Sequence, residues 1–330
     1  MDDLLKLMGD LPGPDHRSGG AVRERAAHVL RPAGALDRLD RVAVWLAEWQ
    51  RTTRPRVDTI AGLVFAADHG VADRGVSAYP SSVTAAMVWA MREGVATSSV
   101  MASVLGIGLS VVDVGVGRPT GDVAVEDALT SDRFGECWAA GREAVAAMDR
   151  LDLLVVGEMG IGNTTVAAAV CAALFGGDAD IWVGLGTGVD AAALDRKRTA
   201  IEMARDRVEG EAPFEILRRV GGAELVAIAG AVAEARVRSV PVVLDGFVVA
   251  AGCAVLEVAH PGALDHTLAG HCSAEPGHRL LLDKLGKPPL LDLGMRLGEA
   301  SGALAAVPLI KLAAASVTEV ATFDEWGISR

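Results

Sequence analysis

The sequence predicts an α/β fold, and three observations lead to this prediction. Short runs of β-branched and aliphatic residues alternate with helical patterns of ten or more residues, which is typical of successive βαβ units. Polar or glycine-rich turns follow four of the predicted strands. Of the 330 residues 51% are hydrophobic but only 4% are aromatic, which indicates a core of closely packed aliphatic side chains. Together these patterns favour a mainly parallel, Rossmann-like sheet that is covered by helices.

The predicted elements divide the chain into a large domain and a small lobe. Residues 37–49 show helical spacing, with Leu39, Val42, Trp45 and Leu46 on one stripe. Residues 304–322 are also helical in pattern, so we predict a small helical lobe of residues 1–58 and 304–330, formed from both termini. Residues 59–303 form the large α/β domain. Its predicted strands are 59–67, 109–114, 153–156, 180–183 and 240–244, and its predicted helices are 82–105, 133–148, 164–175, 191–208 and 222–236.

Composition and charge argue against several classes of protein. The formal net charge is −12 and no basic block is present, which argues against a nucleic-acid or anionic-membrane partner. Residues 1–3 lack the basic and apolar segments of a signal peptide, and Pro241, Asp245 and Glu257 interrupt the longest apolar region. The four cysteines show none of the close spacings of a disulfide or zinc framework (Cys137, Cys171, Cys253, Cys272). We therefore predict a cytoplasmic protein that does not enter a membrane.

A glycine-rich turn at residues 157–165 is the most informative segment of the chain. It lies between an apolar run and an alanine-rich run, which predicts a buried strand, a turn and the start of a helix. The first free N–H groups of such a helix and the positive end of its dipole favour a phosphate, and Glu158 adds a carboxylate beside it. The turn matches neither the Walker A sequence nor the dinucleotide-binding fingerprint. A tight structural turn without a ligand is the alternative interpretation.

The polar turns at residues 68–70, 158–163, 184–188 and 245–246 follow predicted strands, and together they predict a polar cleft. In open parallel sheets, ligands bind outside the carboxyl ends of the strands, where these turns are expected to meet. Lys197 lies about two helical turns beyond Asp190, a predicted N-cap, and its side chain is long enough to reach back toward a phosphate. The alternative for Lys197 is a solvated position on the helix surface.

The remaining polar candidates do not form a metal-binding pattern. Asp68 and His69 have no second histidine or cysteine at ligand spacing, and His271 and His278 lack a helical i, i+4 arrangement. We interpret the two later histidines as hydrogen-bonding turn residues that line the cleft, whereas Glu299 fits a turn cap equally well. No metal is therefore predicted.

Glu319 is a candidate general base. Valine and alanine residues flank it along the chain, and desolvation by such neighbours raises the pKa of a carboxyl group toward neutrality. The alternative interpretation is an exposed glutamate on an amphipathic helix.

Read together, the motifs resemble those of the nicotinate-nucleotide–dimethylbenzimidazole phosphoribosyltransferase family. They occur in the order found in that family and cover about residues 60 to 328. The matching segments are 68–71 (DHGV), 75–80 (GVSAYP), 157–165 (GEMGIGNTT), 184–190 with Lys197, 241–247 (PVVLDGF), 273–278 (SAEPGH), 290–294 (LLDLG), 296–299 (RLGE) and 319–323 (EVATF).

The resemblance implies a parallel α/β domain, a small lobe formed from both termini and a homodimer. It also implies a reaction without a cofactor, in which nicotinate mononucleotide and 5,6-dimethylbenzimidazole give α-ribazole 5′-phosphate and nicotinate during cobalamin assembly. By analogy with the family, Glu319 is the general base and Glu158 assists near the ribose or the incoming base. The residues expected at the nucleotide are Gly160, Ile161, Gly162, Asn163, Thr164, Gly186, Lys197, Asp245 and Ser273.

The segments expected to contact the acceptor base depart from the family pattern. The resemblance places Ser77, Tyr79, Pro80, Ala86, Met87 and Ser99 at this base. Alanine occupies position 86, where the family usually carries glutamine, and residues 97–100 read Thr-Ser-Ser-Val instead of Ala-Ile-Asn-Val. Because fewer amide groups are present to hydrogen-bond the base, these positions do not determine which base is the acceptor. Adenine, another benzimidazole or a phenol are therefore alternatives to dimethylbenzimidazole. A non-catalytic nucleotide-binding protein and a dehydrogenase are the rival classes.

Overall fold

The computed structural model describes residues 8–184, 186 and 188–328. Its strands are β1 (Ile60–Ala67), β2 (Gly108–Gly115), β3 (Leu153–Met159), β4 (Val242–Leu244) and β5 (Thr267–Ala269). Its helices are α1 (His16–Ala26), α2 (Asp37–Gln50), α3 (Ser82–Arg92), α4 (Thr97–Val104), α5 (Ser131–Ala146), α6 (Asn163–Phe175), α7 (Ala179–Trp182), α8 (Ala191–Arg207), α9 (Pro213–Val220), α10 (Ala223–Val237), α11 (Phe247–Ala259), α12 (Pro276–Lys284) and α13 (Ser301–Thr318). A short 3₁₀ helix covers Gly70–Arg74.

The five strands form one parallel sheet in the order β2-β1-β3-β4-β5. The register pairs Phe65 of β1 with Glu158 of β3, and Val156 of β3 with Leu244 of β4. The carboxyl ends of the three central strands therefore meet at one edge, directly before Asp68, Gly160 and Asp245. The predicted α/β class and the mainly parallel sheet are confirmed.

The central strand β3 is buried on both faces, and its side chains alternate between two cores. Leu154 and Val156 pack in the core that includes residues of α6, α10 and α11. Leu153 and Val155 pack on the opposite face, in the core that includes residues of α2 and α13. A strand that is covered on both sides needs apolar residues at successive positions, which explains the continuous apolar run in the sequence.

The last helix, α13, is a core helix of this fold. It has 18 residues with a mean hydropathy of 1.5, and by length and composition it is the helix of the described residues that satisfies the criteria for a membrane span. However, 56% of it is buried within the protein, and Leu304, Val307 and Ile310 lie in the core beside β3. Its apolar character therefore serves packing against the sheet.

Segments from both ends of the chain pack together as predicted. Val22 of α1, Ala43 of α2 and Val317 of α13 belong to one small buried cluster. Arg25 strengthens the contact, because its Nε donates to the carbonyl of Val317 at 2.8 Å and its Nη2 to that of Val320 at 3.0 Å. The division of the chain at residues 58 and 304 stays a prediction.

Several predicted elements are wrong in type or extent. Residues 180–183 lie mostly in the helical turn α7, because a short apolar run does not distinguish a strand from a buried helical turn. The turn at 184–188 therefore follows a helix, and its residues 185 and 187 lie outside the described part of the chain. The predicted helix 82–105 is two helices, which are separated at Gly94 in the left-handed conformation (φ +76°). Strand β5 and helices α9 and α12 were not predicted.

Gly141 permits the close contact between α5 and α10, and its replacement tests this packing. A Cβ atom at Gly141 would overlap the carbonyl of Ala227, a rigid backbone group. We predict that Gly141→Ala lowers the free energy of unfolding by about 1–3 kcal/mol, as overpacking of a core does. Urea denaturation measures the change.

Gly135 provides the matched control because it lies on the exposed face of the same helix. A Cβ atom at this position would have no other atom within 4 Å. We expect Gly135→Ala to raise the free energy of unfolding by up to about 1 kcal/mol, through helix propensity alone. Equal effects of the two substitutions would contradict the packing interpretation.

Candidate active site

A cavity opens at the carboxyl ends of β3, β4 and β5. Its wall contains the turn after β3, the start of α11 and the segments after β5 and before α13. The lining residues include Glu158, Gly160, Ile161, Asn163, Thr164, Gly186, His271, Ser273, Glu275 and Arg296. A second recess shares the turn and adds Ser77, Gly162 and Lys197. Hollows of about 390 and 410 Å³ lie elsewhere, but neither is lined by the glycine turn or by Glu158.

The glycine turn has the geometry of an anion-binding helix start. Gly162 adopts φ +94° as the N-cap of α6, a conformation that favours glycine. Ile161 is held by its N–H, which donates to the buried hydroxyl of Thr84 at 3.2 Å. The turn therefore presents the first residues of α6 to the cavity from a fixed position.

Lys197 reaches back to this turn, and the alternative of a solvated lysine is wrong. Its side chain is only 1% exposed, and its Nζ donates to Thr164 Oγ1 at 3.0 Å and to the carbonyl of Gly184 at 2.8 Å. Burial lowers the pKa of Lys197, while the nearby Glu275 carboxylate opposes this effect. The cavity thus has a buried ammonium group beside the N-terminus of α6.

Residues 298–303 cross the carboxyl ends of the central strands and bring several carboxylates together. The N–H of Glu299 donates to the carbonyl of Glu158 at 3.1 Å, and a Cβ atom at Gly157 would overlap the backbone of Ala300. Asp245 Oδ1 accepts from the N–H groups of the two residues that follow Ser301, at 2.7 and 2.9 Å. Glu299 and Ala300 both have left-handed backbones (φ +59° and +66°), which is a strained conformation that the crossing imposes.

The environment of this cluster raises the pKa of its carboxyl groups. Burial raises the pKa of Glu158 to about 8, and the negative charges of Asp245 and Glu224 add to the effect, which the side-chain amide of Asn163 partly opposes by donating to Glu158. Burial also raises the pKa of Glu299, although the hydroxyl of Ser98 donates to its Oε2 at 3.0 Å. Glu158, which lines the cavity, and the neighbouring Glu299 are therefore candidates for proton transfer.

His271 lines the cavity after β5, and the ring of His278 packs against it with the ring centroids 6.0 Å apart. His271 Nε2 lies 3.6 Å from Asp245 Oδ1. His278 Nδ1 accepts from the N–H of Ser273 at 2.9 Å, and burial lowers the pKa of His278 to about 3, so its ring is neutral. His278 is therefore a hydrogen-bonding group, as expected, whereas His271 lines the cavity without a side-chain hydrogen bond among the described residues.

The residues predicted to contact the acceptor base do not line one common cavity, unlike most of those predicted for the nucleotide. Ser77 lines the second recess, whereas Tyr79, Pro80 and Ala86 are exposed on the protein surface. Met87 and Ser99 are partly buried, and the hydroxyl of Ser99 donates to the carbonyl of Met91 at 2.9 Å. Their role at an acceptor base stays a prediction.

Glu319 does not lie in a desolvated setting, and that expectation is wrong. It is the exposed C-cap residue of α13, and it lines neither the cavity nor the recess described above. Val317, two residues before Glu319, packs in the small buried cluster of the lobe, whereas Glu319 itself is exposed. Glu299 lies beside Glu158 instead, and its sequence signals were the glycine-flanked position at 298–302 and the family-like segment 296–299.

Among the residues that the structure describes, no group of three or more His, Cys, Asp or Glu side chains is arranged to hold a metal ion.

Comparison with known proteins identifies the family. The phosphoribosyltransferase family model DBI_PRT matches residues 11–328. The chain belongs to this family. It is similar to proteins named nicotinate-nucleotide–dimethylbenzimidazole phosphoribosyltransferase from Methylorubrum extorquens (49% identity over 100% of this chain and 96% of the relative) and Brucella anthropi (46% identity over 99% and 97%). The crystal structure of CobT from Thermus thermophilus superposes with a TM-score of 0.91 at 42% identity, over 95% of this chain and 99% of that chain.

The family assignment made from the ordered motifs is therefore confirmed, and with it the enzyme class. A pentosyltransferase needs a held phosphoribosyl group and a place for an attacking nucleophile beside it. The glycine turn with Lys197 and the carboxyl cluster at residues 158 and 299 offer these two features.

The raised pKa of Glu158 predicts a specific pH dependence of stability. Between its ordinary pKa of 4.5 and about 8, this carboxyl group is protonated in the folded protein and ionised in the unfolded chain. The folded state then binds more protons, so the contribution of Glu158 to the free energy of unfolding is complete below about pH 4.5 and is lost as the pH rises through about 8.

Glu158→Gln, which is neutral at every pH, removes this contribution. We expect urea denaturation between about pH 5 and pH 9 to show a shallower loss of stability in Glu158→Gln than in the wild type. The exposed residue Glu209 supplies the control, Glu209→Gln, which keeps the wild-type profile. Identical profiles of Glu158→Gln and the wild type would contradict the raised pKa.

Proposed function

We propose that the chain transfers the 5-phosphoribosyl group of nicotinate mononucleotide to 5,6-dimethylbenzimidazole, which gives α-ribazole 5′-phosphate and nicotinate. One observation supports this best. The glycine turn and buried Lys197 lie at the carboxyl end of β3, close to the carboxyl groups of Glu158 and Glu299. The names of the relatives in M. extorquens and B. anthropi, which match over nearly the whole chain, support the same substrates.

The nucleotide side of the proposed site consists of the turn and Lys197. The 5′-phosphate accepts hydrogen bonds at the start of α6, and the Lys197 ammonium, now bonded to Thr164 and Gly184, turns to the phosphate. A protonated Glu158 suits this arrangement, because a second anion beside the phosphate would oppose binding. Fixing the phosphate orients the ribose for attack from one face.

We assign the general base to Glu299 in place of Glu319. The Glu299 carboxylate accepts from Ser98 at the start of α4, next to Ser99 on the side where the acceptor base is expected, whereas Glu158 is bonded to Asn163 on the nucleotide side. Glu299 takes the N–H proton of the benzimidazole while its other ring nitrogen attacks the anomeric carbon. The bond to nicotinate breaks with its electron pair going to the pyridinium nitrogen, so the leaving group needs no acid. Attack opposite the leaving group inverts the β-linkage to α.

The experiment that tests this function is a chromatographic assay of ribotide formation from nicotinate mononucleotide with a panel of bases. The panel contains dimethylbenzimidazole, benzimidazole, adenine, a phenol and a no-base control. We predict the highest rate with dimethylbenzimidazole, and a drop of about 100- to 10,000-fold in turnover for Glu299→Gln, since the proton acceptor is lost while the shape is kept.

Glu319→Gln is the matched control, and we expect it to stay within about twofold of the wild type. If Glu319→Gln lost most of its turnover while Glu299→Gln stayed active, the general base would be Glu319. A different preferred base would keep the mechanism and change the acceptor, while nicotinate release without any base would contradict transfer in favour of hydrolysis.

We also propose that the chain forms a homodimer through the face of α3 and α4. Trp89, Val100 and Val104 are 65%, 51% and 81% exposed on these two helices, which contact each other. Large apolar side chains exposed on adjacent helices are typical of an association surface. The same helices carry Ala86, Met87 and Ser99, so a second copy would also cover the side where the acceptor base is expected.

Light scattering of the purified protein tests the dimer, with an expected mass of twice that of the chain. Val104→Lys places a charge in the proposed interface, and we expect it to shift the protein to monomers at micromolar concentration. Val258→Lys is the control, because Val258 is 40% exposed at the end of α11 and the substitution should leave the mass unchanged. A monomeric wild type would contradict the proposal.

A further inference from the structure

His69 and Glu224 form a buried hydrogen-bonded pair that the proposed reaction does not use. Both side chains are 0% exposed, and His69 Nε2 lies 2.7 Å from Glu224 Oε1. At this distance one proton lies between the two atoms, whichever of the two groups carries it. His69 follows the carboxyl end of β1, and Glu224 lies in the first turn of α10. The pair therefore links these two elements at the edge of the sheet where the cavity opens.

Gly160 of the glycine turn lies directly against this pair. A Cβ atom at Gly160 would stand 2.9 Å from His69 Nε2 and 3.2 Å from Glu224 Oε1. It would also stand 2.8 Å from the carbonyl oxygen of Ala67, so the turn has no space for a side chain here. A second glycine contacts the same pair, because a Cβ atom at Gly222 would overlap the His69 ring. The pair thus limits how closely Gly160 approaches the core.

Gly160 connects the pair to the start of α6. Its carbonyl accepts from the N–H of Asn163, the first residue of α6, at 3.2 Å. Both residues line the cavity and the second recess. A shift of Gly160 would therefore move the N–H groups that the 5′-phosphate is proposed to bind, and such groups need positions accurate to about 0.5 Å.

Stability alone does not explain a buried polar pair at this place. Replacing such a pair with apolar side chains of similar volume is often neutral or stabilising, because both polar groups lose their hydration on burial. Among the described residues, Glu224 Oε2 and His69 Nδ1 have no hydrogen-bond partner, which adds to this cost. The pair supplies a contact of fixed length and direction, which apolar side chains do not provide.

We propose that the His69–Glu224 pair supports the phosphate-binding turn: its hydrogen bond holds Gly160 in the position from which the start of α6 binds the 5′-phosphate. The inference rests on the proposed function for the identity of the nucleotide and the place of its phosphate. His69 and Glu224 are positioning residues, because they act through the turn and touch no substrate.

Calorimetric binding without an acceptor base, at about pH 6 and so below the pKa of Glu158, tests the proposal on the full chain. The ligands are nicotinate mononucleotide, nicotinate riboside, which lacks the phosphate, and inorganic phosphate. The double variant His69→Leu/Glu224→Leu keeps a similar volume and leaves neither group buried without its partner. We expect it to bind the nucleotide and inorganic phosphate about tenfold more weakly than the wild type, and the riboside within about twofold.

Conservative single variants test whether the hydrogen bond itself matters. His69→Gln keeps a donor near the position of Nε2, and Glu224→Gln keeps an acceptor at the position of Oε1. We expect both variants to bind the nucleotide within about threefold of the wild type. A general loss of packing would weaken nucleotide and riboside alike and would not be restored by glutamine.

The control is Arg142→Leu/Glu234→Leu, which removes another ion pair of α10. Arg142 Nη2 lies 2.8 Å from Glu234 Oε2, and neither residue lines the cavity or the recess. This variant should keep the wild-type affinity for all three ligands. Three results would each overturn the proposal: unchanged nucleotide affinity in the double variant of His69 and Glu224, equal losses for nucleotide and riboside, or glutamine variants as weak as that double variant.

A measurement on the wild type avoids any folding defect of the variants. In ¹⁵N-histidine NMR spectra, we expect the Nε2 resonance of His69 to move when inorganic phosphate is added, because Gly160 lies against its hydrogen bond. The resonance of His266, which is bonded to the carbonyl of Val232 and does not line the cavity, should stay unchanged. A His69 resonance unaffected by bound phosphate would overturn the proposal. Phosphate binding that depends on the pair, without any ribotide formation, would reject only the proposed function.

Discussion

The crossing of residues 298–303 over the carboxyl ends of the central strands is the constraint on which the site depends. The crossing needs Gly157, where a side chain would overlap Ala300, and it is fixed by Asp245, whose carboxylate accepts from the first turn of α13. It places Glu299 beside Glu158 and turns the carboxylate of Glu299 toward Ser98. The crossing therefore brings Glu299 next to Glu158, which lines the cavity.

Electrostatics at this edge of the sheet follow from the same burial. Several acidic groups share a small desolvated volume, and burial there raises the pKa of Glu158 to about 8. Lys197, on the opposite side of the turn, is the buried cation and lies near Glu275, whose pKa burial also raises. The cavity therefore combines a cationic end that suits a phosphate with carboxyl groups of raised proton affinity, which suit the acceptance of a proton from an N–H nucleophile.

The sheet and the glycine turn were predictable because they depend on local patterns. The strand β3, the turn at 157–165 and the start of α6 follow from the order of apolar, glycine and alanine-rich residues, which needs no knowledge of distant contacts. Helical spacing alone left Lys197 open between a reach to the turn and a solvated position, and its contacts with Thr164 and Gly184 decide for the turn. The three-residue strand β5 and the helical turn α7 were missed or misassigned, since segments this short show no periodicity.

The carboxylates show where sequence reasoning stops. Apolar neighbours along the chain suggested a desolvated Glu319, but at the end of α13 Val317 is buried in the lobe while Glu319 is exposed. Glu299 lies between small residues that give no sign of burial, and its environment comes from Glu158 and Ser98, which are 141 and 201 residues away. The pairing of Asp245 with His271 likewise depends on two strands that are adjacent only in the folded sheet.

A crystal structure with nicotinate mononucleotide tests the central claim most directly. The account predicts the phosphate at the start of α6, within hydrogen-bond distance of Lys197 Nζ, and the anomeric carbon in the cavity between Glu158 and Glu299. A nucleotide seated elsewhere, for example with its phosphate in the hollow lined by Arg118 and Arg133, would contradict it.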